Sequence, residues 1–111
     1  MEISKEEIGV CLVLTPNGRI DSQSAPEFQS SVIGLIEGGQ SRVVLDFSKI
    51  EYISSAGLRV VLMAAKRCKA AKGGFAMFAL ADHIKEVFEI SGFLKILSVA
   101  DDKDGAVQIV S

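Results

Sequence analysis

The sequence predicts an α/β fold: one domain over residues 1–111 with a mixed β-sheet, an antiparallel hairpin at its N-terminal side, and helices packed mainly on one face. Three observations carry this. Short apolar runs recur between turn residues, as buried strands require. Stretches with helical apolar spacing alternate with those runs, which favours parallel neighbours joined by right-handed crossovers. Glycine pairs and a Pro-Asn-Gly stand at the junctions. A chain of 111 residues is long enough for one real core.

Gly9 to Leu14 reads as a buried strand, Pro16-Asn17-Gly18 as a tight turn, and Arg19-Ile20 as the return strand of a hairpin. Ser24-Ala25-Pro26-Glu27 has the form of a capping box, with the Ser24 hydroxyl on the Glu27 amide and Glu27 reaching back. It opens a helix carrying Phe28, Val32, Leu35 and Ile36 that Gly38-Gly39 stops. Arg42 to Phe47 is apolar on both faces, as a central parallel strand should be, with Asp46 near its end.

Ser48 to Ile53 reads as a connection. Ser54-Ser55-Ala56-Gly57 then opens the longest helix, which runs to about Lys72. Leu58, Val61, Leu62, Ala65 and Cys68 form its apolar stripe; Arg59, Met63 and Lys66 fall on an outer face. Gly73-Gly74 ends it. Phe75 to Leu80 is a third long strand. Asp82 is placed to cap a helix with Ile84, Val87 and Phe88, stopped by Gly92. Phe93 to Val99 reads as a short edge strand. Asp101 to Ser111 stays open: its charged start suits a short helix, while Gly105, Val107, Ile109 and Val110 oppose one.

Several function classes fall away. The net charge of -2 opposes a nucleic-acid footprint, and the cluster Lys66, Arg67, Lys69 and Lys72 reads as a solvated helix face. Met1 to Glu7 has no apolar core of a secretory signal, and no apolar run approaches the roughly 18 residues of a membrane span, so a cytoplasmic protein is expected. Cys11 and Cys68, far apart and without a CxxC, read as reduced core thiols. His83 has no Cys or second His near it, so neither a metal site nor another cofactor is expected. No GxSxG, GxGxxG or Lys-terminated phosphate loop is present, which argues against an enzyme. Charged outer faces suggest a monomer.

The informative segment is Val43 to Leu62: a buried strand, a loop, and two serines at a helix start. The first amides of a helix lack partners, and the macrodipole places partial positive charge there. Ser54 or Ser55 can therefore serve simply as a cap. A phosphate would also be accommodated at this position.

Three pieces of sequence add to this: Gly18-Arg19-Ile20-Asp21 followed by Ser24-Ala25; a strand ending at Asp46; and Tyr52-Ile53-Ser54-Ser55-Ala56-Gly57-Leu58. Through them the chain resembles, over nearly its whole length, the STAS domain of bacterial anti-sigma factor antagonists. The resemblance implies a phosphoprotein in which Ser55, two positions before Gly57, is phosphorylated by an anti-sigma factor with serine-kinase activity. Ser54 stands where the family often has Asp, and Ala56 where it often has Ser or Thr, which makes Ser54 a rival acceptor. The implied mechanism is partner switching: the unphosphorylated form binds the kinase, the phosphorylated form is released, and a metal-dependent serine phosphatase resets it. The residues expected to border the partner are Asp21, Ser22, Ser24, Ser54, Ala56, Gly57, Arg59 and Met63. Asp46 either orients the serine loop or satisfies loop amides, and Tyr52 reads as packing. The family also offers another role, as accessory subunit of a transport or stress-sensing complex without a phosphorylation switch.

Overall fold

Alternate residues of three strands point to opposite sides of one sheet, and this divides the core. Leu12, Leu14, Val43, Leu45, Phe75 and Met77 face one way; Cys11, Val13, Val44, Ala76 and Phe78 face the other. The computed structural model describes residues 1–111. Its elements are β1 (Glu2–Ile8), β2 (Cys11–Ile20), α1 (Ala25–Glu37), β3 (Arg42–Asp46), β4 (Ile50–Ile53), α2 (Ser55–Ala70), β5 (Gly74–Phe78), α3 (Asp82–Ile90), a 3-10 turn (Phe93–Lys95), β6 (Ser98–Ala100) and α4 (Lys103–Val110). The strand order is β1-β2-β3-β5-β6, with β4 on the far end of β2. Only β1–β2 is antiparallel.

The mixed sheet with its N-terminal hairpin is as expected, but the hairpin is built differently. Ile8 faces Cys11 across a turn at Gly9-Val10, where Gly9 takes a φ of 59°. Pro16-Asn17-Gly18 lies inside β2 and makes no hairpin turn. Gly18, at a φ of 109°, marks the register shift where β2 leaves β3 and begins to pair with β4. The missed strand β1 is mostly exposed and charged, so no apolar pattern announces it; backbone pairing at the sheet edge holds it.

Other expectations are corrected in the same way. Within the supposed connection, Ile50 and Ile53 are buried and anchor the four-residue β4, too short to show a period. On α2, Val60 and Ala64 join Leu58, Val61 and Cys68 in the core, while Leu62, Ala65 and Met63 are half-buried. The stripe is thus rotated from the predicted one. Asp82 is the first residue of α3 rather than its cap, a place taken by Ala81. Phe93 to Val99 divides into the 3-10 turn and the beginning of β6.

The open C-terminal segment forms α4. Asp102 caps it by accepting the Gly105 amide at 2.8 Å, and Ala106 and Val110 bury themselves against the second face of the sheet. Arg42 donates to the Val110 carbonyl at 2.7 Å and ties down its end. Helices α1, α2 and α3 cover the first face. Cys11 and Cys68 are both free and buried, in opposite layers. Burial pushes the Cys68 thiol up to about 11.

Candidate functional site

Parallel pairing of β2 with β4 brings the starts of α1 and α2 to one edge of the sheet. The Ser54 amide donates to the Ile20 carbonyl at 2.8 Å and joins the two loops. Ser54 is extended (φ −91°, ψ 173°), and its hydroxyl accepts the Gly57 amide at 3.3 Å. Ser54 is therefore the cap of α2 and is half-buried. Ser55 is the first helical residue and is exposed. Gly57 is buried below them, where a Cβ would lie 2.6 Å from Ile20 Cγ2 and 2.7 Å from Ile53 Cγ1. A glycine there lets the helix start sit directly on the ends of β2 and β4.

The loop before α1 is knotted on itself. Asp21 Oδ1 accepts the Gln23 and Ser24 amides at 3.0 and 3.1 Å. The Ser24 hydroxyl donates to the Arg19 carbonyl at 2.6 Å and accepts the Asp21 amide at 3.0 Å. The amides of Ser24 and Gln23, with the Arg19 charge adding a smaller contribution, hold the Asp21 carboxyl below its ordinary range. The capping box does not form: Ser24 makes no cap bond, and Glu27 pairs with the Met1 amine at 2.6 Å. The nearby Asp21 takes the Ser24 amide instead, and the Ser24 hydroxyl turns back to β2.

Between the two helix starts runs a groove of about 300 Å³. Ser22, Ala25, Pro26 and Gln29 form one wall; Ala56, Arg59, Val60 and Met63 form the other. A second depression along α2, about 310 Å³, shares Arg59 and Met63 and continues to Lys66. Of the residues picked from sequence, Ser22, Ala56, Arg59 and Met63 meet here. Asp21, Ser24, Ser54 and Gly57 instead hold the two loops in shape. Met63 is half-buried on the groove wall.

Tyr52 is 40% exposed, with the Arg19 guanidinium 4.5 Å over its ring, and does not pack in the core. The sequence does not mark Arg19, the variable position of Gly18-Arg19-Ile20-Asp21, or Gln29 as site residues. Arg19 alternates with the buried Ile20, a signal that it points outward; Gln29 carries no signal of its own. Asp46 accepts the Ser48 amide at 2.9 Å and the Thr15 hydroxyl at 3.3 Å, so it satisfies its own loop. His83 Nε2 lies 2.8 Å from the Glu51 carbonyl, engaged with β4. No group of three His, Cys, Asp or Glu side chains is gathered to hold a metal ion. No helix is long and apolar enough to cross a membrane.

Residues 2–106 match the STAS domain family. The chain belongs to that family. BtrV of Bordetella bronchiseptica, provisionally named an anti-sigma factor antagonist, is 39% identical over 106 residues, 96% of this chain and 91% of that one. A Thermotoga maritima structure, also provisionally described as an anti-sigma factor antagonist, superposes with a TM-score of 0.92 at 21% identity, covering 97% of this chain and 93% of that one. SpoIIAA, described as an anti-sigma factor antagonist, is similar in its unphosphorylated form (TM-score 0.72, 15% identity, covering 93% of this chain and 91% of that one). The phosphorylated form of SpoIIAA from Bacillus gives 0.73 at 17%, covering 96% of this chain and 97% of that one. At these identities the solved structures share the fold of this STAS domain. Its two helix starts lie on the stretch of chain that the family match spans.

Proposed function

We propose that this STAS domain is an anti-sigma factor antagonist that works by partner switching, with Ser55 as the phosphoryl acceptor. The observation that carries the reading is the division of labour between the two serines. The Ser54 hydroxyl caps α2, while Ser55 stands exposed one residue on, next in the chain to Ala56 of the groove wall. A kinase can reach the Ser55 hydroxyl without undoing the helix cap. The name of BtrV and the existence of SpoIIAA in phosphorylated and unphosphorylated forms support the same reading.

In this account the unphosphorylated protein binds, in the cytoplasm and as a monomer, an anti-sigma factor with serine-kinase activity. The contact runs over Ser22, Ser55, Ala56, Arg59 and Met63, with Asp21, Ser24, Ser54 and Gly57 holding that surface in place. Phosphorylation of Ser55 adds roughly −1.5 to −2 charge. Enclosing such a charge against a partner surface that offers it no counter-charge costs about 3–5 kcal/mol, a hundredfold or more in affinity. The complex then separates until a metal-dependent serine phosphatase removes the phosphate.

The test is affinity capture from the source organism with wild-type, Ser55→Ala and Ser55→Asp baits. A serine-kinase ATPase recovered by Ser55→Ala and lost by Ser55→Asp is the expected result. Identical partners on all three baits would reduce Ser55 to an ordinary helix residue.

A further inference from the structure

We infer that the outward face of α2 docks an acidic protein surface with an apolar centre, and that phosphate on Ser55 breaks this contact partly by capturing Arg59. The inference rests on the partner-switching reading and adds the chemistry of the partner to it.

The charge distribution points this way. The chain has 14 acidic and 12 basic residues, yet α2 holds Arg59, Lys66, Arg67 and Lys69 and no acid at all. Ser55, Arg59, Met63 and Lys66 follow one another at helical spacing, so they share a face that spans about 16 Å. Of the three ion pairs in the structure, this helix takes part in one, Arg67 with Glu37 at 3.1 Å. Arg59 and Lys66 are exposed and pair with nothing in the chain. Both depressions described above share Arg59 and Met63, so a half-buried thioether lies between cations. Such a face complements a protein surface that offers carboxylates around an apolar side chain. A membrane suits it less, because Leu62 and Met63 are half-buried and leave little apolar surface free to insert. Nucleic acid suits it less too, since the chain as a whole is acidic.

Ser55 and Arg59 stand four residues apart, the separation at which helical side chains of opposite charge pair. A phosphoserine at position 55 would therefore draw the Arg59 guanidinium to itself and repel the partner's carboxylates at the same time.

The test is an NMR titration of the full chain with a helical peptide of about four turns bearing Glu and Leu on one face. Its counterpart with Lys for Glu, phosphatidylglycerol vesicles and duplex DNA serve as the other arms. The expected result is shifts centred on Arg59, Met63 and Lys66 with the acidic peptide, weakening as salt is raised. Arg59→Glu should lower its affinity about tenfold; Arg59→Lys should largely retain it, and Ser55→Asp should weaken it severalfold. Shifts elsewhere, equal response to the basic peptide, stronger response to vesicles or DNA, or no response at all would overturn the surface. Equal affinity for Ser55→Asp and wild type would overturn the role of Arg59 in release. If the peptide binds as expected but all three capture baits recover the same partners, partner switching fails and the acidic-surface assignment stands.

Discussion

At the start of α1, Ser24 turns inward and spends its hydroxyl on the Arg19 carbonyl and the Asp21 amide, while Asp21 takes two amides of the same loop. At the start of α2, joined to that loop by the bond from the Ser54 amide to the Ile20 carbonyl, Ser54 spends its hydroxyl on the Gly57 amide and Ser55 is left facing solvent. Both starts offer serines and a small residue after them. The difference is that α1 has an aspartate three residues before its serine to close the loop on itself, and α2 has a second serine in that serine's wake. A self-satisfied loop makes a rigid wall. A capped helix with a spare hydroxyl makes a wall that can be modified without losing its shape.

The contrast can be broken most forcefully at Ser55. Ser55→Asp should weaken binding of the captured kinase by about a hundredfold, measured by titration calorimetry, whereas Ser22→Asp on the α1 wall of the groove should cost clearly less. Gly57→Ala is next. Its methyl would meet Ile20 and Ile53 at 2.6 and 2.7 Å, so urea unfolding should show about 1–3 kcal/mol of destabilisation, reduced by the better helix propensity of alanine. The two serines can then be separated by stability alone. Ser54→Ala should cost about 1 kcal/mol for its lost cap, and Ser55→Ala should stay within about 0.5 kcal/mol of wild type.

The smallest effect belongs to Asp21. Its carboxyl is held below the ordinary 3.8, so its contribution to stability is complete above that value and fades as pH falls through the lower folded value. Asp21→Asn should flatten the acid limb of the stability curve below about pH 4, seen as a smaller loss of melting temperature on acidification than in wild type.

The sequence revealed most where burial and period agree. The three strands Arg42–Asp46, Gly74–Phe78 and the first part of Cys11–Ile20 are apolar on both sides, because helices cover both faces of the sheet. The long helix was visible for the same reason. What stayed hidden was held by backbone bonds or by short contacts. Strand β1 has a mostly exposed, charged surface and is held by its ladder to β2, with only Ile3 and Ile8 half-buried against the core. Strand β4 shows only two buried residues. At the site, the second serine and the glycine after it could be read as a helix start, but which hydroxyl would be spent could not, since either serine can cap. The Asp21–Ser24 knot has the sequence form of a capping box because Glu27 stands at the right spacing, while the Met1 amine, distant in sequence, claims its carboxylate. Arg19 over Tyr52 depends on strand pairing that neither residue signals by itself.

The most direct measurement is fragmentation mass spectrometry of the protein purified from its source cells under conditions that preserve phosphoserine. Phosphate located on Ser55, in a fraction that no longer holds the kinase, is the predicted result. Phosphate on Ser54, or on neither serine while the kinase is still released, would contradict the account.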